Sequence, residues 1–449
     1  MLPSEGAGGA AAAPASAGGG LSRRQAVPLA VGSVAGSGIL FLPSAVYAEA
    51  GSVSLLVWLV ATALCLPMLL MFDDMVRAKP DGDGIEAFIR DGLGDRVARC
   101  VAPMFVGLVS VGLPTGAMVA GEYVAEGLGA GRAVAVVGAV AVLVAAVATN
   151  LAGAPTSARV QHAGVAALLV TTVVLVAAAT PGMADGLGAV RPRTADLGPL
   201  LPTATLAFWA FAGFENLTFL SREFRDPRRD FLPVSATALG AYGLLTVLLT
   251  VAIAVRVPRG DVDEVTGLLQ LADSIEPRAL VVAAVTAIAF GAMTLNAVAW
   301  VWGISRVAAG AAARGALPAG LAATTDAGVP RRAIGLLAGL FAVSGTALVA
   351  APGLVIDAAA AAGATFVVLY VLSIVSYARA RGLTPRSAAN LALLVVLAVA
   401  LAQSGARALY GVALFAAALA APTLTRRRSR RADRQAATRP TQPTPTRPT

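Results

Sequence analysis

Residues 32–43 read G-S-V-A-G-S-G-I-L-F-L-P. They lie inside an apolar run from about residue 25 to about residue 50, long enough to cross a bilayer as a helix. Gly36-Ser37-Gly38 falls near the middle of that run, where an uninterrupted helix favours Ala or Leu. Glycine in a spanning helix has two common uses. It gives a small surface on which helices approach, or it marks a point where the helix unwinds and frees backbone N–H and C=O groups to bind something. This segment by itself leaves both readings open.

A second stretch weighs between them. Residues 206–224 read L-A-F-W-A-F-A-G-F-E-N-L-T-F-L-S-R-E-F, with Ala212-Gly213-Phe214 interrupting the pattern and Glu215 and Asn216 following inside the apolar zone. A carboxylate at the centre of a span costs about 2.5–3.5 kcal/mol, so it faces a partner, a cavity or water. Glu215 is therefore a strut to a neighbouring helix, a proton carrier or a substrate contact. Two interrupted helices five spans apart predict an inverted repeat, in which two five-helix halves face opposite ways and the broken helices meet at the midplane. Ala35-Gly36-x-x-x-Leu40 against Ala212-Gly213-x-x-x-Leu217 is a short internal echo of that kind. Half-helices point positive N-terminal ends at a negative group, and unwound carbonyls accept from a positive one. A zwitterionic amino acid offers both.

The composition agrees with a membrane chain. Of 449 residues, 57% are hydrophobic and 13% charged, and the mean hydropathy is +0.77. Repeated apolar runs of about 20 residues imply helices, because lipid leaves the hydrogen bonds of an open strand unsatisfied. The net charge of +9 sits in short loops and a tail and reports orientation, so nucleic acid is not expected as a partner. Cys65 and Cys100 lie within or beside apolar segments without metal-type spacing and read as free thiols. No cofactor or metal is expected.

Apolar runs place spans at roughly 25–49, 52–76, 98–125, 132–151, 160–180, 199–221, 232–255, 278–308, 332–350, 354–377, 387–402 and 405–423. The expected fold is an all-α polytopic membrane protein of about twelve transmembrane helices, a 5+5 inverted repeat with helices 1 and 6 broken, plus two further helices. Its parts are a disordered Gly/Ala-rich leader (1–21), a transporter domain (22–425) and a basic Pro/Thr-rich tail (426–449). Within the domain, repeat one covers about 25–180, repeat two about 199–377, and the last two helices about 387–423. With both termini cytoplasmic, the inner short loops hold about sixteen Lys/Arg and the outer ones about seven, the direction the positive-inside rule requires. Residues 85–97 of an inner loop read as an amphipathic surface helix or a solvated loop, and Pro114 is expected to kink the third span.

The residues just quoted resemble a family. G-S-V-A-G-S-G-I-L-F-L-P is similar to the first-helix signature of the APC (amino acid, polyamine, organocation) superfamily. F-W-A-F-A-G-F-E with R-E-F-R-D-P-R-R-D-F-L-P resembles its sixth helix and following loop, and S-R-V-A-A-G-A-A-A-R-G-A-L-P (305–318) the close of its eighth. V-S-V-G-L-P-T-G-A in the third span resembles the bacterial exporters of methionine and branched-chain amino acids. The resemblance implies a site at Val34, Gly36, Ser37, Gly38, Trp209, Ala212, Gly213 and Phe214. The N–H groups of Ser37 and Gly38 would take the substrate carboxylate, and carbonyls near Val34, Trp209 and Ala212 its amino group. Trp209 would cover the substrate, with Trp300 a second aromatic from the eighth helix; each tryptophan also fits interface or bundle packing. Asn296, one turn before Trp300, reaches the cavity or bonds a neighbouring helix.

There are departures from the family pattern. The eighth-helix motif usually runs Ala-Arg-Asp-Gly, whereas here it is Ala312-Ala313-Arg314-Gly315, which puts an inner-gate contact in question. Some relatives couple protons through a fifth-helix lysine, while the one lysine here, Lys79, is in a loop. The fifth span instead carries His162, the single histidine, which titrates in the useful range but equally suits a structural place near the interface.

The expected function is a secondary transporter of neutral, hydrophobic amino acids (methionine, leucine, isoleucine, valine) in the bacterial plasma membrane. Proton-coupled export is the direction that the resemblance implies, with Glu215 and His162 as proton-coupling candidates. The alternatives are an uptake permease for amino acids or polyamines, and more remotely an intramembrane enzyme or a sensor. One histidine near a span end with no evident carboxylate partner does not suit an enzyme.

Overall fold

The computed structural model of the chain describes residues 21–34, 38–79, 85–153, 158–192, 197–211, 217–218, 221, 224–403 and 405–420. The leader to residue 20, the tail from 421, and the interruptions expected at 35–37 and 212–216 lie outside the described residues. Among the described residues the structure is helical, and one parallel bridge joins Leu21 to Phe224.

The first apolar run forms α1 (Arg23–Val34) and α2 (Gly38–Ala50), and a 3-10 turn at Gly51–Val53 leads into α3 (Ser54–Ala78). Residues 85–97 are helical, forming α4 (Ile85–Ala98), which Gly94 interrupts at φ 80°. Next come α5 (Val101–Gly127), α6 (Arg132–Leu151), α7 (Ala158–Ala179) and the short α8 (Met183–Ala189). Helix α9 (Leu200–Phe208) runs into a 3-10 turn at Trp209–Phe211. The remaining helices are α10 (Pro227–Arg256), α11 (Gly267–Asp273), α12 (Arg278–Ala313), α13 (Arg331–Ala350), α14 (Leu354–Arg381), α15 (Pro385–Gln403) and α16 (Ala406–Ala420).

Seven helical stretches among the described residues are long and apolar enough to cross a membrane, one of them joining α2 to α3 as Gly38–Ala78. Parts of α7 and α15, and α16 itself, are shorter apolar helices. Helices α1 and α9, of 12 and 9 residues, are too short to span alone, at 1.5 Å rise per residue against a core about 30 Å thick. The short α8 and α11 were not among the expected elements.

Helix starts follow local chemistry. Asp226 caps α10 by accepting from the Arg229 N–H at 3.3 Å, with Pro227 in the first turn, where a missing N–H costs nothing. Pro114 stays inside a continuous α5. A proline there cannot donate to the carbonyl four residues back, and the Ser344 hydroxyl of α13 donates to that carbonyl of Ser110 instead, at 2.5 Å. The expected kink residue is thus a docking point for another helix.

Helix α5 is the most enclosed of the long helices and packs against α6, α12, α13 and α14. Helix α12 packs in turn against α6, α7 and α13; α3 packs against α9 and α10; and α10 against α1, α2 and α7. At one end of the bundle, α4 lays Ile85, Phe88 and Ile89 against α14. There Ser376 Oγ donates to the Phe88 carbonyl at 2.7 Å and accepts from the Gly92 N–H at 3.1 Å. At the same end Asp74 accepts from Tyr377 and Arg386, tying α3 to α14 and α15.

Small residues set a close crossing of α5 with α6. A Cβ on Gly121 would lie 2.0 Å from the Ala135 carbonyl oxygen, and one on Gly138 would lie 3.1 Å from the Gly121 Cα. Gly121→Val therefore forces the two backbones apart, an overpacking cost of about 1–3 kcal/mol. Purified in detergent, this variant is expected to unfold several degrees below wild type, whereas Gly131→Ala, in open space, leaves the midpoint unchanged.

Candidate functional site

The two runs in which interruptions are expected approach each other at Gly38, the buried first residue of α2. A Cβ placed there would lie 3.2 Å from the Ala210 Cα, 3.2 Å from the Tyr242 hydroxyl and 3.1 Å from Leu42 Cδ1. Only glycine lets the start of α2 and the turn ending α9 approach so closely without moving a neighbour.

Aromatic rings hold that turn from two sides. Phe211 meets Trp58 of α3 edge-on at 6.4 Å and Tyr242 of α10 at 5.4 Å, and all three are fully buried. Trp58 Nε1 donates to Thr250 Oγ1 at 2.8 Å, which fixes the indole. On the other side Phe208 meets Tyr370 edge-on at 5.8 Å. Tyr370 stacks with Phe366 at 6.1 Å, and Phe366 meets Phe105 of α5 at 6.4 Å. Such pairs add about 0.5–1.5 kcal/mol each beyond the area they bury. The end of α9 is thereby fixed to three helices, α3, α10 and α14, and through Phe366 to α5. Helix α2 is fixed separately, because the buried Tyr123 hydroxyl of α5 donates to the Leu40 carbonyl at 2.6 Å.

Tyr242 is enclosed completely, and its hydroxyl has no hydrogen-bond partner among the described residues. Thr246 and Thr250 continue the same face at one-turn intervals, their hydroxyls turned back to the carbonyls of Gly243 and Thr246 at 2.9 and 2.8 Å. The spacing Tyr242-x-x-x-Thr246-x-x-x-Thr250 is visible in the sequence as a polar stripe inside an apolar span. Sequence reasoning missed it, along with Trp58, Tyr123 and Phe211.

Polar ties close each end of the bundle. At the α4 end, Arg23 of α1 donates to Asp230 at 2.5 Å and to the Arg229 carbonyl at 3.1 Å, while the Arg225 N–H donates to the Leu21 carbonyl at 3.0 Å. Arg314, at the altered eighth-helix motif, bridges to Glu86 of α4 at 2.9 Å, and Arg90 donates to the other oxygen of that carboxylate at 2.8 Å. The motif without its aspartate therefore still makes an ionic contact here, through the arginine. At the opposite end, Arg259 donates to the carbonyls of Ala48 and Glu49 at 3.0 and 2.8 Å, where the negative end of a helix favours a cation. Ser44 Oγ donates to the Glu264 carbonyl at 3.2 Å, and α11 lies against α2.

Of the residues singled out from sequence, Gly38 is at this meeting point. Gly36, Ser37, Ala212, Gly213, Phe214 and Glu215 lie outside the described residues. Val34, His162 and Trp209 are in helical segments, with their side chains outside what is described. Asn296 and Trp300 are half-buried on α12, and neither shows a hydrogen bond or ring contact with Gly38, Ala210 or Tyr242 among the described residues. Cys65 and Cys100 are buried and form no disulfide, and no group of metal-ligating side chains occurs among the described residues.

Comparison with known proteins adds a family. The profile of the amino acid permease family matches residues 21–424. The chain is 26% identical over 211 residues to the L-methionine/branched-chain amino acid exporter YjeH of Escherichia coli, covering 47% of this chain and 50% of that protein. It is 26% identical over 235 residues to the uncharacterized amino acid permease YecA of Bacillus subtilis, covering 49% and 53%. An uncharacterized transporter of Mycobacterium tuberculosis is 34% identical over 237 residues, 51% of each chain. The chain thus spans about half the length of the curated relatives it matches.

The Arg23–Asp230 pair is half-exposed on the arginine side but largely buried on the aspartate side, so removing the arginine leaves a poorly solvated carboxylate and costs more than an exposed pair does. Arg23→Ala is accordingly expected to lower the unfolding midpoint by a few degrees. In an Ala26→Cys background, where the wild-type position is buried, it is expected to raise labelling by a polar thiol reagent several-fold. Unchanged labelling would show that the pair does not hold α1 in place.

Proposed function

The chain belongs to the amino acid permease family of the APC superfamily, and from that premise we propose that it is a secondary active transporter of neutral, hydrophobic amino acids. Methionine, leucine, isoleucine and valine are the proposed substrates, and proton-coupled efflux the proposed direction. The observation that carries this reading is the near-contact of Gly38 with Ala210, in which the opening turn of one interrupted run faces the last turn of the other amid fully buried rings. A helix N-terminus there favours the carboxylate of an amino acid, and the aromatic and alanine surroundings favour an apolar side chain.

We place the architecture as twelve spans with a 5+5 inverted repeat. Its support is that the packing pairs recur under a shift of five spans. The pairing of α1 and α2 with α10 is matched by α9 with α3, α5 with α13 by α12 with α6, and α5 with α14 by α12 with α7. Two halves with the same internal contacts can rock against each other, which is how alternating access works in such folds. In this scheme Val34, Gly36, Ser37, Gly38, Trp209, Ala212, Gly213 and Phe214 form the substrate site, with Asn296 and Trp300 lining it from α12. Glu215 and His162 are the proton-coupling candidates. Both termini are taken as cytoplasmic, which puts Arg23, Asp230, Glu86 and Arg314 at the inner gate and α11 over the outer one.

The test is movement of labelled methionine and leucine in vesicles of known orientation, with and without an imposed pH gradient. Efflux driven by inward protons is the expected result, and movement of arginine or putrescine in place of both would overturn the substrate assignment. Glu215→Gln is expected to leave a folded protein in the membrane with transport lowered about 10-fold or more, or with its pH profile flattened. Wild-type rates and an unchanged profile would make that carboxylate structural.

A further inference from the structure

Buried polar groups in native proteins are almost always hydrogen-bonded, so a fully enclosed hydroxyl without a partner calls for an explanation. Tyr242 carries such a hydroxyl, midway along the 30-residue α10. It sits 3.2 Å from the position a Cβ on Gly38 would occupy, beside the opening turn of α2. The edge-on contact with Phe211 at 5.4 Å holds the ring, so the hydroxyl has little freedom to turn elsewhere. On the same helix face Thr246 and Thr250 bond back to α10, and Thr250 also accepts from Trp58, while the buried Ser235 hydroxyl two turns earlier is, like that of Tyr242, without a partner among the described residues.

We propose that the Tyr242 hydroxyl is a substrate contact that donates a hydrogen bond to the carboxylate held at the opening turn of α2. Helix α10 then becomes a third element of the site, beside the two interrupted runs. The proposal rests on the amino acid transport reading above. Two arguments fix the ligand class. The first N–H groups of a helix lack intrahelical acceptors and carry partial positive charge, so the group lodged beside them is an anion rather than an ammonium. A phenol adds a donor without adding charge, and a hydrogen bond to an ionised acceptor is stronger than one between neutral groups. Without substrate the hydroxyl is desolvated and unpaired. With substrate it is paired, so the interaction favours the bound state selectively.

The test compares purified full-length wild type with Tyr242→Phe, using thermal unfolding and binding of L-leucine, L-methionine and L-leucinamide. Removing an unpaired hydroxyl while keeping the ring is expected to leave the ligand-free variant as stable as wild type or more so. Leucine and methionine affinity should fall about tenfold, in line with one charge-assisted hydrogen bond. Leucinamide, which lacks the carboxylate, should weaken much less, so the preference for acid over amide shrinks. A ligand-free variant that is destabilised or fails to fold would assign the hydroxyl a structural partner, such as an enclosed water, and overturn the proposal. Unchanged leucine affinity with an unchanged acid-to-amide ratio would overturn it while leaving the transport reading intact. A wild type that binds neither leucine nor methionine would remove both.

Discussion

The close approach of α2 to the end of α9 at the centre of this bundle depends on the absence of a side chain at Gly38. A Cβ there would lie 3.1–3.2 Å from the Ala210 backbone, the Tyr242 hydroxyl and Leu42, so any substituent makes a neighbour give way, and the start of α2 and the end of α9 approach through backbone. In lipid or a dry core, each unpaired peptide group costs several kcal/mol, and helices are therefore normally continuous. The aromatic chains from Phe211 and Phe208, and the Tyr123 bond to Leu40, hold those ends so that their positions do not drift.

The same economy appears wherever the chain departs from a plain helix. Pro114 strips the Ser110 carbonyl of its intrahelical donor, and Ser344 supplies another from α13. The end of α2 exposes carbonyls that Arg259 covers. Each repair comes from a distant part of the chain, so each also pins one helix to another. By contrast, the ties at the α4 end are ionic and partly exposed, as with Arg23–Asp230 and Arg314–Glu86. Each joins a half-exposed arginine to a carboxylate that is largely buried.

Much of the architecture was legible in the sequence because apolar length is a direct consequence of bilayer thickness. The runs ending near Ala78, Gly127, Leu151, Arg256 and Arg381 follow from that rule, and the helices found there differ from expectation by a few residues at their ends. The choice between loop and helix for 85–97 was open, since a helix lying on a surface needs a partner to declare itself; α14 is that partner. Helices α8 and α11 carry too few apolar residues to announce themselves in the same way.

The sequence by itself determined that this is a polytopic helical membrane chain with glycine inside two of its apolar runs, since hydropathy and glycine placement are local properties. It also carried the family motifs. Only the tertiary structure decided what surrounds Gly38, because Ala210, Phe211, Trp58 and Tyr242 come from distant positions and none has a local signature of its role. Whether a buried hydroxyl is paired is likewise a property of its neighbours in space. Tyr242 and Thr250 share one face of one helix, yet Thr250 bonds to its own backbone and to Trp58 while Tyr242 is left with an open donor.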